Sequence, residues 1–121
     1  MKAVILAGGF GTRLRERVPD LPKPMAPVAG RPFIAHLLDR LARTPIDSVV
    51  LSTGYRAEAI RRYVGDTWNG LAVEYAEEPE PLGTGGALAY ACREHREQPW
   101  LVLNGDTFVD LDYRALFDWY R

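Results

Sequence analysis

Residues 3–14 read Ala3-Val4-Ile5-Leu6-Ala7-Gly8-Gly9-Phe10-Gly11-Thr12-Arg13-Leu14, and this stretch decides the fold. Its first four residues are apolar and are closed by glycines, which is typical of a strand buried on both faces of a sheet. The glycines allow a sharp turn whose N–H groups can point inward at an anion. Arg13 adds a planar guanidinium suited to phosphate oxygens. The stretch therefore predicts a strand followed by a polyphosphate-binding loop.

Two better-known phosphate loops do not match this stretch. The P-loop ends in Gly-Lys followed by Ser or Thr, and no such tripeptide follows Gly8. A dinucleotide fingerprint starting at Gly9 would need its third glycine where Leu14 stands, and no carboxylate follows about 20 positions further on. The alternative interpretation is a plain strand-to-helix turn, and Arg13 together with the later Lys23 argues against it.

The bulk composition limits the class of protein. The chain has 121 residues, of which 47% are hydrophobic, enough for one domain with a real core. The formal charge is −1 with mixed signs, so nothing favours a nucleic-acid or membrane surface. The lone Cys92 cannot form an internal disulfide, and the apolar N-terminal run is too short for a signal peptide or a membrane span. We expect a cytoplasmic enzyme or binding domain.

Apolar periodicity downstream of the loop predicts alternating helices and strands. In chain order they are a helix at 31–43, a strand at 48–53, a helix at 57–64, a strand at 71–75, a helix at 87–95, a strand at 100–103 and a helix from 112 to the end. The strand at 100–103 has the clearest pattern of a buried strand, and Thr84 is the expected N-cap of the helix at 87–95. The alternation indicates an α/β fold, a Rossmann-like three-layer α/β/α arrangement around a mainly parallel sheet.

Lys23 lies in a stiff segment. Residues 18–27 carry four prolines, so they can form neither a regular helix nor a central strand. Pro22 and Pro24 flank Lys23 and would hold its side chain in place. A solvated loop lysine is the alternative interpretation, and the nearby phosphate loop favours a functional lysine.

Acidic groups follow the later strands. Residues 77–86 form a second glycine-rich junction, whose carboxylates would repel a phosphate and should face a base or a sugar. Asp106 follows an apolar strand directly after Gly105, a position that suits a ligand to Mg²⁺; the alternative is an Asp that only caps a turn. Ligands of this fold class bind beyond the carboxyl ends of the strands, so these groups and the first glycine loop should meet at one rim.

The chemistry that this set of groups suits is attack on a phosphorus centre. Charge developing on phosphorus and on a leaving pyrophosphate needs cations and fixed donors more than it needs acid–base groups. Cys92 falls within a predicted helix, and no serine sits in a nucleophile elbow. Direct in-line displacement, without a covalent intermediate, is therefore expected.

The motifs resemble those of a known family. Gly8–Leu14, with Pro22-Lys23-Pro24 behind it, is similar to the signature of sugar-1-phosphate nucleotidyltransferases, and Glu80–Gly86 and Leu103–Asp106 match two further blocks in the same order. The pattern over residues 19–32 is most similar to the D-glycero-D-manno-heptose 1-phosphate guanylyltransferase branch. The resemblance implies the N-terminal part of a GT-A-like nucleotidyltransferase fold.

The resemblance also implies roles for individual residues. Arg13 would hold the leaving pyrophosphate and Lys23 would neutralise charge at the α-phosphate, which makes both catalytic, while Asp106 would bind Mg²⁺. Glu78 would read the base edge, and a carboxylate there favours GTP because guanine offers it two N–H donors, although Glu77 or Glu80 could stand in its place. The residues implied in nucleotide binding are Leu6, Ala7, Gly8, Gly9, Gly11, Thr12, Arg13, Lys23, Glu78, Pro81, Gly83 and Thr84.

The expected partners are a nucleoside triphosphate and a sugar 1-phosphate, with a mannose or other hexose 1-phosphate as the alternative to the heptose. Members of the family run on past residue 121 and supply a second metal-binding Asp and a sugar-phosphate lysine there. We therefore expect residues 1–121 to be a single nucleotide-binding domain, the N-terminal portion of a longer nucleotidyltransferase domain. A missing C-terminal half or another chain would complete that domain. A homo-oligomer is an alternative expectation. Alone, the chain should bind nucleotide but transfer weakly or not at all, and a non-catalytic nucleotide-binding module is the competing hypothesis.

Overall fold

A five-stranded sheet is the middle layer of the computed structural model, which describes residues 1–8, 22–54, 56–96 and 98–121. In chain order the described strands are β1 (Lys2–Leu6), β2 (Pro27–Val28), β3 (Arg31–Pro32), β4 (Ser48–Thr53), β5 (Thr67–Trp68), β6 (Leu71–Glu77) and β7 (Trp100–Asn104). The described α-helices are α1 (Phe33–Ala42), α2 (Ala57–Val64), α3 (Gly83–Ala91) and α4 (Tyr113–Tyr120), and Lys23–Met25 form a 3₁₀ turn. The sheet order is β5-β6-β4-β1-β7, and β2 pairs with β3 in a separate hairpin.

The sheet is mainly parallel, as predicted. Strand β1 pairs in parallel with β4 and β7, and β4 pairs in parallel with β6. Among the five described strands of this sheet, the short β5 alone runs antiparallel to its neighbour. The register places Ser52 and Asn104 on either side of Leu6. The carboxyl ends of β1, β4 and β7 therefore meet at one edge of the sheet.

Helices cover both faces of the sheet. On one face, alternate residues such as Ile5, Val49 and Leu51 pack against apolar side chains from α1, α2 and α4. On the other face, Val4 and Val50 pack against the C-terminal half of α3. This arrangement confirms the three-layer prediction. Within α1, Ile34, Leu37, Leu38 and Leu41 recur at helical spacing and are all buried against the sheet.

Strand β7 is the clearest departure from the sequence prediction. Its sequence has the clearest pattern of a buried strand, but β7 lies at the edge of the five-stranded sheet, and Val102 is 44% exposed. The prediction is wrong because a continuous apolar run reports the hydrophobicity of a strand and not the number of neighbours it pairs with.

Helix boundaries differ where turns intervene. Helix α1 begins at Phe33 and not at Arg31, because Arg31 and Pro32 belong to the β2–β3 hairpin. Helix α3 begins at Gly83 and ends at Ala91, four residues earlier than predicted at each end. Thr84 therefore lies in its first turn, and the expected Thr84 N-cap is wrong, since Leu82 occupies that position without a side-chain cap.

Strand β5 was not among the predicted strands. It forms a hairpin with β6 that turns through Asn69 and Gly70, both at positive φ. In the part of the chain that the structure describes, no helix is both long and apolar enough to cross a membrane.

Candidate functional site

A cavity of about 310 Å³ opens at the carboxyl edge of the sheet. Its described lining residues are Leu6, Ala7, Gly8, Lys23, Pro24, Glu78, Pro81, Gly83, Thr84, Ala87, Asn104, Gly105 and Asp106. Nine of these were predicted from the sequence, namely Leu6, Ala7, Gly8, Lys23, Glu78, Pro81, Gly83, Thr84 and Asp106. The structure thus brings four distant segments of the chain to one rim, and three of them follow strands of the parallel sheet.

Four predicted residues cannot be placed in this cavity. Gly9, Gly11, Thr12 and Arg13 lie outside the described residues. The cavity also contains four residues that the sequence analysis did not single out as binding residues, Pro24, Ala87, Asn104 and Gly105. Asn104 and Gly105 directly precede Asp106 in the motif Leu103–Asp106, and this position in the motif is the sequence signal for them.

Backbone hydrogen bonds extend the sheet into the floor of the cavity. The N–H of Ala7 donates to Ser52 O at 2.8 Å, and the N–H of Gly105 donates to Leu6 O at 2.9 Å. A Cβ on Gly105 would lie 2.8 Å from Leu6 O, so the close approach of these two strand ends requires glycine. The segment after β1 is thereby clamped between its two neighbours.

Lys23 and Asp106 form an ion pair at the cavity, with Nζ 2.8 Å from Oδ2. The 3₁₀ turn that carries Lys23 is closed by a bond from Met25 N to Pro22 O at 2.9 Å, and Pro24 and Met25 are buried beneath it. The proline-rich segment therefore anchors Lys23 by burying its neighbours. The sequence predicted that both residues face the site but not that they contact each other.

The Asp106 carboxylate is held in its ionised form. The hydrogen bond from Lys23 lowers the pKa of Asp106 most, burial opposes that shift, and a hydrogen bond from the Thr107 hydroxyl at 3.0 Å lowers the pKa further. Its side chain is 42% exposed, so it is accessible from the cavity. An ionised, accessible carboxylate is the donor type that hard divalent cations prefer.

Glu78 is the second carboxylate of the cavity. Of the three neighbouring acidic residues, all described, Glu78 lines the cavity while Glu77 and Glu80 do not. Its backbone N–H donates to Thr53 O at 2.8 Å, which ties the end of β6 to the end of β4. Its Oε2 accepts from Leu82 N at 3.2 Å, and its Oε1 lies 3.4 Å from the Ser52 hydroxyl.

The cavity therefore has two kinds of polar group. One is a cation–carboxylate pair suited to phosphate and a metal ion, and the other is a carboxylate that can only accept hydrogen bonds while ionised. Residues 2–121 match the family model described as Nucleotidyl transferase.

The chain belongs to the nucleotidyl transferase family.

Two guanylyltransferases are similar to the chain over nearly all of its length. The D-glycero-alpha-D-manno-heptose 1-phosphate guanylyltransferase of Aneurinibacillus thermoaerophilus is 46% identical over 98% of this chain and 51% of the relative. The mannose-1-phosphate guanylyltransferase of Mycobacterium tuberculosis is 43% identical over 98% of this chain and 33% of the relative. The chain thus spans about half the length of the heptose relative.

Solved structures agree with these similarities. HddC from Yersinia pseudotuberculosis superposes with a TM-score of 0.84 at 38% identity, covering 97% of this chain and 52% of that one. A second structure of HddC is a complex with GMP-PN, with a TM-score of 0.82 at 39% identity over the same shares of the two chains. The likeness confirms the predicted fold class, a Rossmann-like three-layer α/β/α arrangement of the GT-A-like nucleotidyltransferases.

Proposed function

We propose that residues 1–121 form a single nucleotide-binding domain that supplies the nucleotide half of a sugar-1-phosphate nucleotidyltransferase site. The reaction is transfer of GMP from GTP to D-glycero-α-D-manno-heptose 1-phosphate, with release of pyrophosphate. The observation that carries the proposal is the cavity that joins Gly8, the Lys23–Asp106 pair and Glu78 at the carboxyl edge of the sheet. The names of the relatives support the substrates.

Lys23 and the segment that begins at Gly8 are proposed to hold the triphosphate. The Lys23 ammonium is anchored at the cavity by its buried neighbours and is 46% exposed, so it can approach the α-phosphate while it stays beside Asp106. The Gly8 backbone has no Cβ to keep a phosphate oxygen away. By resemblance, Arg13 is proposed to hold the leaving pyrophosphate. Fixed cations of this kind stabilise the negative charge that develops during in-line displacement.

Asp106 fits the role of a protein ligand to Mg²⁺. Its carboxylate is ionised, accessible and at the cavity. A single carboxylate suits Mg²⁺, which usually keeps several waters and binds one or two carboxylates together with substrate phosphates. When bound, the ion would supply Lewis-acid stabilisation of the phosphate charge.

Glu78 is proposed to read the guanine base. It lines the cavity and presents an acceptor-only edge to a ligand. Guanine offers adjacent N1–H and 2-amino donors, whereas uracil and thymine offer one N–H between two carbonyl oxygens. A carboxylate at this position thus favours GTP over UTP and dTTP.

A mannose 1-phosphate substrate is the second candidate, since a mannose-1-phosphate guanylyltransferase shares 43% identity with the chain. Both candidates use the same nucleotide, and they differ only in the sugar.

The test is a chimera in which residues 1–121 replace the matching half of the Aneurinibacillus heptose guanylyltransferase. We expect pyrophosphate release with GTP, MgCl₂ and the heptose 1-phosphate, and release at a lower rate with mannose 1-phosphate. The chain alone should bind GTP with little or no turnover. A folded chimera that binds GTP without releasing pyrophosphate would support the competing hypothesis of a non-catalytic module.

A further inference from the structure

Ser52 is a buried polar residue directly behind the cavity. It lies near the carboxyl end of β4, its exposed fraction is 0%, and its register partners are Leu6 and Ala76. It is not among the residues that line the cavity, so it does not reach a ligand itself. Its hydroxyl instead points at Glu78, with Oγ 3.4 Å from Oε1. Among the described lining residues, the Ser52 hydroxyl thus contacts Glu78, while its backbone O accepts from Ala7 N.

Two hydrogen bonds hold the Glu78 carboxylate in place, and a glycine leaves room for it. The Ser52 hydroxyl donates to Oε1, and the N–H of Leu82 donates to Oε2 at 3.2 Å. Gly8 leaves room for the carboxylate, because a Cβ there would lie 2.6 Å from Oε1 and 3.3 Å from the carboxyl carbon. Each oxygen is thus bound by one protein donor and retains further acceptor capacity.

A fixed carboxylate of this kind discriminates between bases more sharply than a mobile one. Guanine places N1–H and a 2-amino N–H side by side, which matches two carboxylate oxygens. Hypoxanthine lacks the 2-amino group, and uracil flanks its N–H with carbonyl oxygens that repel a carboxylate. A site whose buried groups are already oriented rejects such analogues because they leave its acceptor unpaired.

We propose that Ser52 is a positioning residue that sets guanine selectivity by orienting Glu78. The proposal rests on the proposed function, because it assumes that Glu78 faces the base. The cavity would then have two binding regions: Lys23 and Gly8 bind the phosphates, and the Ser52–Glu78 pair recognises the base. Loss of the Ser52 hydroxyl should therefore change the choice of base and leave the grip on phosphate unchanged.

Ser48 provides a matched control. It lies on the same strand and the same face as Ser52, it is buried with an exposed fraction of 6%, and its hydroxyl has no hydrogen-bond partner in the described part of the chain. Ser48→Ala and Ser52→Ala therefore remove the same atom from the same face of one strand, at buried positions. They differ in whether that atom contacts Glu78.

The experiment measures binding of GTP, ITP, UTP and inorganic tripolyphosphate to the 121-residue chain by calorimetry with MgCl₂. The unsubstituted chain should prefer GTP over ITP by about tenfold or more, and Glu78→Gln should abolish that preference. Ser52→Ala should lower the GTP-to-ITP ratio about three- to tenfold, while Ser48→Ala leaves it unchanged. Tripolyphosphate, which has no base, should bind both serine variants equally.

The outcomes separate the two proposals. If Glu78→Gln removes the GTP preference and Ser52→Ala does not, the role of Ser52 is overturned and Glu78 keeps its own. If Ser52→Ala weakens tripolyphosphate as much as GTP, Ser52 is merely structural. If the unsubstituted chain binds neither GTP nor tripolyphosphate, the proposed function itself fails. Should Ser52→Ala not fold by circular dichroism, Ser52→Cys, nearly isosteric and a weak donor, replaces it with the same expected loss.

Discussion

Two ion pairs in this protein have the same chemistry and different surroundings. In the first, Lys23 Nζ lies 2.8 Å from Asp106 Oδ2; in the second, Arg31 Nη1 lies 2.6 Å from Asp39 Oδ2. In both pairs the hydrogen bond from the cation is the main cause that lowers the pKa of the carboxyl group. Neither the charges nor the distances distinguish the two.

The remaining oxygen of each carboxylate does distinguish them. Asp39 Oδ1 accepts from the indole N–H of Trp68 at 2.8 Å and from the Asn69 side chain at 3.4 Å. This carboxylate ties α1 to the β2–β3 hairpin and to β5. Asp106 Oδ1 accepts from its neighbour Thr107, and its carboxylate lines the cavity. The two pairs therefore differ in one respect: the Asp106 carboxylate lines the cavity, whereas both oxygens of Asp39 accept hydrogen bonds that join elements of the fold.

The largest effect is expected from Asp106→Ala in the chimera. Removing the proposed metal ligand should lower the rate of pyrophosphate release on the order of 10²–10³-fold, by analogy with loss of one charge-stabilising group at a reacting centre. Asp39→Asn is the matched control and should leave the rate within twofold. Equal losses of pyrophosphate-release rate in both variants would contradict different roles for the two ion pairs.

Lys23→Met should have the second largest effect. We expect GTP affinity and the transfer rate both to fall, the rate on the order of 10²-fold, because the α-phosphate loses its cation. The free energy of unfolding should change by about 1 kcal/mol or less, since exposed ion pairs contribute little. Urea titration alongside the assay checks both; strong destabilisation would show that the pair is structural after all.

Asp39→Ala should show the opposite behaviour. It leaves the Trp68 indole N–H without its acceptor, and it also removes the anchor of Arg31. We expect the protein to lose about 1–3 kcal/mol of unfolding free energy, with GTP affinity unchanged. Urea unfolding and calorimetry on the 121-residue chain measure the two quantities. A change in GTP affinity without loss of stability would contradict the structural assignment.

The smallest effect is a pH dependence from Asp39. Arg31 and Trp68 lower the pKa of this carboxyl group in the folded protein, so its contribution to stability is present above its unfolded pKa of about 3.9. That contribution is lost as the pH falls through the lower, folded pKa. The difference in Tm between the unsubstituted chain and Asp39→Asn should therefore be constant near neutral pH and shrink below about pH 4. A difference that grows on acidification would reverse the assigned sign.

Local pattern was enough to predict much of the fold. The bounds of β4 and α2 match the predictions residue for residue, because their apolar spacing is set within each segment. Asp112, whose carboxylate accepts from Ala115 N, caps α4 at the residue where that helix was expected to begin. The edge position of β7, the strand β5 and the β2–β3 hairpin were not predicted, since each depends on a pairing partner elsewhere in the chain.

The candidate site likewise has features that the sequence predicted and features that only the tertiary structure revealed. The sequence predicts that four residues meet at one rim, namely Gly8, Lys23, Glu78 and Asp106. The reason is that residues following parallel strands lie at a common edge of the sheet. Only the tertiary structure decided the contact between Lys23 and Asp106. It also decided that Glu78 lines the cavity, in place of Glu77 or Glu80, and that Ser52 lies behind Glu78. Periodicity and glycine content dictate which segments form strands and turns, whereas contacts between side chains depend on sheet register and packing between segments distant in the chain.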